Sequence, residues 1–198
     1  MPQIPELLLL DFDGVLADLD ARIRRDALAT MTGQPAEQVA RALAARRALP
    51  EEDSADDLHL AAFVRALGQP LAPAQWHAAR MQATVPRRDC LALLRQAGTR
   101  VPLAVLSNNP AALAAPIARL LGLPATRVLT SGALGLRKPD PACFLAAVGQ
   151  LDARPERTLF VDNLFRNVRG ARQAGLMADT AHHAQSLRRL LRRFALLR

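Results

Sequence analysis

The sequence predicts an α/β fold: a doubly wound parallel sheet interrupted early by a small all-helical segment. Three observations lead there. Short runs dominated by apolar residues at 7–10, 101–106 and 158–161 have the length of strands buried on both faces. From residue 87 onward such runs alternate with helix-period segments, as parallel strands joined by crossover helices do. Between residues 19 and 84 helical patterns follow one another with no strand between them.

Taken in order, Leu7-Leu8-Leu9-Leu10 is the first strand, and it ends at Asp11-Phe12-Asp13-Gly14. Residues 19–31 read as a first helix, and residues 36–48 as a second, opened by Pro35, which suits a first helical turn. The acidic run 51–57 precedes a third helix. Ser54 with Asp57 has the spacing of a helix cap, and acids suit the positive end of a helix, so the run is expected to start a helix rather than hold calcium or magnesium. Gly68 closes that helix, Pro73 opens a fourth running to about Ala83, and Thr84-Val85-Pro86 breaks it. The expected division is therefore 1–18 with 85–198 as the core and 19–84 as the helical part.

The alternation then runs: helix 89–97, strand 101–106, helix 111–121, strand 127–130, a loop at 135–141, helix to about 151, strand 158–161, helix 168–174 and an edge strand at 176–181. A basic amphipathic helix, 185–197, ends the chain. Its leucines share one face and are expected to pack on the domain rather than on a membrane. His182 and His183 before it could ligate metal, but read more simply as a surface turn.

Composition narrows the function classes. In 198 residues 51% are hydrophobic, enough for a core without disulfide staples. No apolar run approaches a membrane span, and four leucines make no signal peptide, so a cytoplasmic location is expected. Cys90 and Cys143 lack metal-ligand spacing and read as buried apolar residues. The net charge is +8, but the arginines are scattered and aromatic residues are sparse, so neither nucleic acid nor membrane is expected as a partner. Of the 26 basic residues only Lys138 is a lysine. A tight site needing a compact point charge would explain the exception.

In a parallel sheet the C-terminal strand ends face one side. That brings Asp11 and Asp13, Ser107 and Asn108, Lys138, and Asp162 with Asn163 toward one place. Acids bind Mg²⁺ through oxygen, while a hydroxyl, amides and an ammonium suit phosphate oxygens.

On Asp11-Phe12-Asp13-Gly14-Val15, Leu106-Ser107-Asn108, Arg137-Lys138-Pro139-Asp140, and Val161-Asp162-Asn163 with Asn167-Val168, the chain resembles the haloacid dehalogenase (HAD) superfamily of phosphohydrolases. The four motifs come in the family's order and span essentially the whole chain. The resemblance implies a Rossmann-like core, and makes residues 19–84 a cap that closes over the site. It implies Asp11 as the nucleophile and Asp13 as acid and base, with Ser107, Asn108 and Lys138 holding the phosphoryl group. Mg²⁺ would be held around Asp11, Asp13, Asp162 and Asn163, and the substrate would be a small phosphorylated metabolite.

Arg22, Arg24, Arg25 and His59 are candidate cap-side contacts, though each also reads as an ordinary surface residue. An acid at position 13 favours phosphate over halide, because halide leaves without a proton. The cap lacks the lysine that a phosphonatase would use for a Schiff base. One departure stands out: relatives usually read Asp-Asp where this chain has Asp162-Asn163. The alternative to an enzyme is therefore a weakened or non-catalytic phosphoryl-binding protein. The sequence is silent on oligomeric state.

Overall fold

The computed structural model describes residues 4–47 and 56–198. The chain divides into two compact units, residues 1–18 with 86–198, and residues 19–85. The elements begin with β1 (Leu7–Leu10), β2 (Ala17–Leu19), α1 (Ala21–Thr32), α2 (Ala36–Arg47), α3 (Asp56–Leu67), α4 (Pro73–Gln82) and β3 (Thr84–Pro86). They continue with α5 (Arg88–Ala97), β4 (Leu103–Ser107), α6 (Ala114–Leu121), β5 (Val128–Thr130), α7 (Ser131–Leu134) and α8 (Pro141–Gln150). The last are β6 (Thr158–Asp162), α9 (Phe165–Gln173), β7 (Met177–Thr180) and α10 (Ala184–Arg193).

In the larger unit five strands form one sheet in the order β5-β4-β1-β6-β7, and each neighbouring pair is parallel. β1 is the central strand, and all four of its leucines are buried. Successive side chains of a strand point to opposite faces, so a run of four leucines requires cover on both. Leu7 and Leu9 pack with Cys143, Phe144 and Val148 of α8 and Val168 of α9. Leu8 and Leu10 turn the other way and are equally buried. This is the doubly wound α/β architecture. Its register decides the site: Leu10, the last residue of β1, pairs with Val105 on one side and Val161 on the other, so β1, β4 and β6 end within two residues of one another.

The smaller unit is built from α1 to α4 around Leu28, Val39, Phe63, Leu67 and Trp76. Phe63 and Trp76 stack with ring centroids 5.2 Å apart, and Arg24 lies over the Trp76 ring at 4.1 Å. Asp20 caps α1, accepting from the amides of Arg22 (2.8 Å) and Ile23 (3.1 Å).

Several boundaries differ from the sequence expectation. Residues 84–86 form β3 and pair with β2, so the two passages of the chain between units run through a two-stranded sheet. α9 starts at Phe165, a turn earlier than expected, because its opening residues are polar or exposed and carry no apolar period. Ser131–Leu134 is a short helix capped by the Thr130 hydroxyl. The proposed capping residue Ser54 lies outside the described residues. α10 ends at Arg193 and buries Leu187, Leu190 and Leu191. His183 is its cap: Nδ1 accepts from the Ser186 amide at 3.2 Å. Both cysteines are free and buried, and burial pushes the Cys143 thiol up to about 11.

Candidate active site

Asp11 is the first residue past β1, and its amide donates to the Val161 carbonyl at 2.8 Å, extending the β1–β6 ladder by one step. Its Oδ1 accepts from the Phe12 amide at 2.7 Å and lies 2.8 Å from Lys138 Nζ. Lys138 Nζ also lies 2.8 Å from Asp162 Oδ2, so one ammonium bridges two strand ends. The lysine side chain is 1% exposed and that of Asp162 is fully buried. Burial pushes the Asp11 carboxyl up to about 7, with Lys138 opposing and Asp162 adding to the rise. Burial also works against the Lys138 ammonium, but Asp11 and Asp162 hold it above the ordinary lysine range.

The loop that delivers Lys138 is clamped twice. The Asn108 side chain donates to the Lys138 carbonyl (2.9 Å) and accepts from the Lys138 amide (3.0 Å), a paired bond of the kind strands make. From the other side α9 presses on it at Gly170. A Cβ there would lie 2.0 Å from the Pro139 carbonyl oxygen, so only glycine fits. The Lys138–Pro139 peptide bond is cis.

Both oxygens of Asp162 are engaged, Oδ2 twice and Oδ1 once. Oδ1 accepts from the Leu164 amide at 2.8 Å, and Oδ2 accepts from Lys138 Nζ and from Asn167 Nδ2 at 2.9 Å. It orients the lysine and the start of α9.

Asp13 stands beyond Phe12 in a tight loop, where the Gly14 amide donates to the Ala17 carbonyl at 2.8 Å. Gly14 has φ +79°, a conformation that glycine reaches without strain. The Asn163 amide lies across it, and a Cβ on Gly14 would fall 2.4 Å from Asn163 Nδ2. Asn109 Nδ2 donates to Asp13 Oδ2 at 2.8 Å and to Ser107 Oγ at 2.6 Å, joining the second acid to the hydroxyl.

The structure thus gathers Asp11, Asp13, Ser107, Asn108, Lys138, Asp162 and Asn163 at one rim of the sheet. Arg24 and Arg25 belong to the smaller unit, where Arg24 is buried on Trp76 and Arg25 pairs with Asp26 at 2.7 Å. Arg22 and His59 lie on α1 and α3 of that unit.

Sequence reading gave no role to three residues. Asn109 sits one residue past the matched triplet, and Asn167 is in the fourth motif with no chemistry attached. Arg87 donates to the Gly14 and His182 carbonyls and grips Asp18 at 2.6 and 2.8 Å. Only Asn167 had a sequence signal.

Asp11 and Asp162 share the Lys138 ammonium and Asp13 is held by the Asn109 amide, so acids outnumber the one base at this rim. A divalent cation would offset their charge. The donors for one are of mixed kind. Among the described residues no group of three or more His, Cys, Asp or Glu is arranged to hold a metal. The oxygens on offer are the Asp11 carboxylate, the Asp13 backbone carbonyl, Asp162 Oδ1 and the Asn163 amide oxygen. They are hard oxygen ligands of the type that Mg²⁺ takes, and they fit it.

A family model of haloacid dehalogenase-like hydrolases matches residues 5–175, and the chain belongs to this hydrolase family. No curated protein matches it. Among solved structures, an L-2-haloacid dehalogenase is 22% identical, with TM-score 0.68 over 94% of this chain and 99% of that one. A HAD family hydrolase from Deinococcus radiodurans R1, with bound phosphate and sodium, is 19% identical, with TM-score 0.61 over 98% of both chains. A HAD family enzyme from Bacteroides thetaiotaomicron, in complex with magnesium and inorganic phosphate, is 18% identical, with TM-score 0.59 over 89% of this chain and 93% of that one. At these identities the likeness carries the fold and not the substrate.

Proposed function

We propose that the chain is a Mg²⁺-dependent phosphatase that hydrolyses a small phosphorylated metabolite through an aspartyl-phosphate on Asp11. The observation that carries this reading is the orientation of Asp13 by Asn109, whose amide also holds Ser107. An acid fixed beside a phosphate-binding hydroxyl serves a leaving group that needs a proton. A halide leaves without one.

In the first half-reaction an Asp11 carboxylate oxygen attacks phosphorus and the bond to the leaving oxygen breaks. Asp13 gives that oxygen its proton. Ser107 Oγ and Lys138 Nζ hold the phosphoryl oxygens, and the Lys138 ammonium offsets charge developing between Asp11 and phosphorus. In the second half-reaction Asp13 takes a proton from water, the water oxygen attacks phosphorus, and inorganic phosphate leaves with Asp11 restored. Mg²⁺ would be held by Asp11, the Asp13 carbonyl, Asn163 and the neighbourhood of Asp162, and would supply positive charge against the phosphoryl group.

Residues 19–85 we assign as the cap that selects the leaving group, with Arg22, Arg24, Arg25 and His59 as candidates for that selection. Neither nucleic acid nor a membrane is the proposed partner. Among the described residues no helix is long and apolar enough to cross a membrane, and a cytoplasmic location is proposed.

The test is phosphate release from a panel of phosphorylated metabolites with Mg²⁺, using Asp11→Asn as control. Turnover by the natural chain and its loss in the variant by about 10³-fold or more is expected, since removing a nucleophile leaves only binding and electrostatic terms. Full turnover in Asp11→Asn overturns the proposal. A second reading, a phosphoryl-binding protein with weakened chemistry, rests on the neutral amide at Asn163. Phosphate binding without turnover on any panel member would favour it.

A further inference from the structure

The Asn163 side chain is half-buried and lies over Gly14. With its nitrogen turned inward it donates to the Asp13 carbonyl at 3.2 Å and to Asp162 Oδ1 at 3.3 Å. With its oxygen turned inward the same position faces two acceptors and no donor. A cation bound between the three oxygens would make that orientation favourable. The two ends of an amide have nearly the same shape, so a half-turn about its last bond leaves the packing on Gly14 unchanged.

We infer that Asn163 is a two-position amide that replaces a fixed metal ligand. With nitrogen inward it closes the site on Asp13 and Asp162 without a cation. With oxygen inward it is a neutral ligand to a divalent, oxygen-preferring cation, which therefore binds weakly and leaves readily. A carboxylate at position 163 has only the second option. It would set a fourth carboxylate at the rim, against the Asp13 carbonyl and Asp162 Oδ1, and make the cation part of the folded site.

The inference deepens the proposed Mg²⁺ site, and its test needs no substrate, so it can fail while phosphate release succeeds, and the reverse. Mg²⁺ is titrated calorimetrically into the natural chain and into Asn163→Asp, and melting temperatures are compared in Mg²⁺ and in EDTA. Asn163→Asp is expected to bind Mg²⁺ roughly tenfold or more tightly, because ligand charge tunes affinity. It is also expected to melt lower than the natural chain in EDTA and to regain the difference in Mg²⁺. In the natural chain the side-chain NH₂ resonances of Asn163, assigned by their loss in the variant, are expected to shift on saturation with Mg²⁺. Equal affinity in both proteins, or NH₂ resonances unmoved by saturating Mg²⁺, overturns the inference. Should Asn163→Asp fail to fold in Mg²⁺, the NH₂ resonances of the natural chain decide the question, assigned then by backbone connectivity.

Discussion

Lys138 holds two buried carboxylates apart from each other and from solvent. Its Nζ is 2.8 Å from both Asp11 and Asp162, and none of the three side chains is more than 8% exposed. A buried triad of this kind is weak evidence for stability as a whole, since desolvation offsets attraction. Removing one member is another matter, because it strands charge. Lys138→Met is expected to lower the unfolding free energy by roughly 3–5 kcal/mol at pH 8, measured by urea titration. The sign with pH follows from Asp11. Its carboxyl is pushed up to about 7, so it is charged above that value and takes up a proton below it. Lys138 opposes that rise, so without it the Asp11 carboxyl titrates higher still, and the loss is largest at alkaline pH and shrinks as the pH falls toward 7 and the stranded carboxylate of the variant takes up its proton. An unchanged urea midpoint at pH 8 would show that the ammonium is not what holds the two acids in place.

At the scale of elements, each acid and amide of the site is positioned by where a strand stops. β1, β4 and β6 end within two residues of one another, and their last or next residues are Asp11, Ser107 and Asp162. After β4 two consecutive asparagines point different ways. Asn108 fixes the Lys138 loop, and Asn109 fixes Asp13. The smaller unit shows the same dependence on ends. Asp20 caps α1, and the amides of Ile23 and Arg22 hold its carboxyl below the ordinary aspartate value of 3.8. A carboxyl lowered in the folded state contributes stability that is present above its unfolded value and lost as pH falls through the folded one. Asp20→Ala is expected to lower the urea midpoint at pH 7, with a deficit that narrows as the pH drops below about 4, while Asp20→Asn keeps most of the cap. A deficit independent of pH would mean that the carboxylate charge plays no part at this helix end.

Across the whole molecule, what the sequence made legible is what repeats locally. Four adjacent leucines, the acids that follow them and the one lysine in a loop are readable because strand length, alternation and an exceptional residue are properties of a short stretch. β3 was read as a break because three residues ending in proline carry no period. Asn109 and Gly170 were invisible for another reason. Their meaning lies in partners 96 and 31 positions distant along the chain, and spacing does not encode such pairs.

Charge shows the same gap. The +8 balance reads as a solvated surface, and several of its exposed arginines hold specific partners. Arg154 and Arg157 hold Glu6, Arg193 meets Asp179 at 2.5 Å, and Arg172 donates to the Ala178 carbonyl. Arg87 reaches furthest in function. It joins Asp18, the Gly14 carbonyl of the Asp13 loop and the His182 carbonyl past β7.

A lysine at position 87 would keep the charge but lose the planar fork that serves three partners at once. The loop it releases carries the proposed proton donor and not the proposed phosphate-binding groups. Under the proposed mechanism, Arg87→Lys is therefore expected to lower kcat by about tenfold, within the range general acid catalysis contributes, with KM nearly unchanged. Steady-state kinetics across pH checks it. A rise in KM at constant kcat would instead place Arg87 in substrate binding, and unchanged kinetics would leave it a purely structural tie.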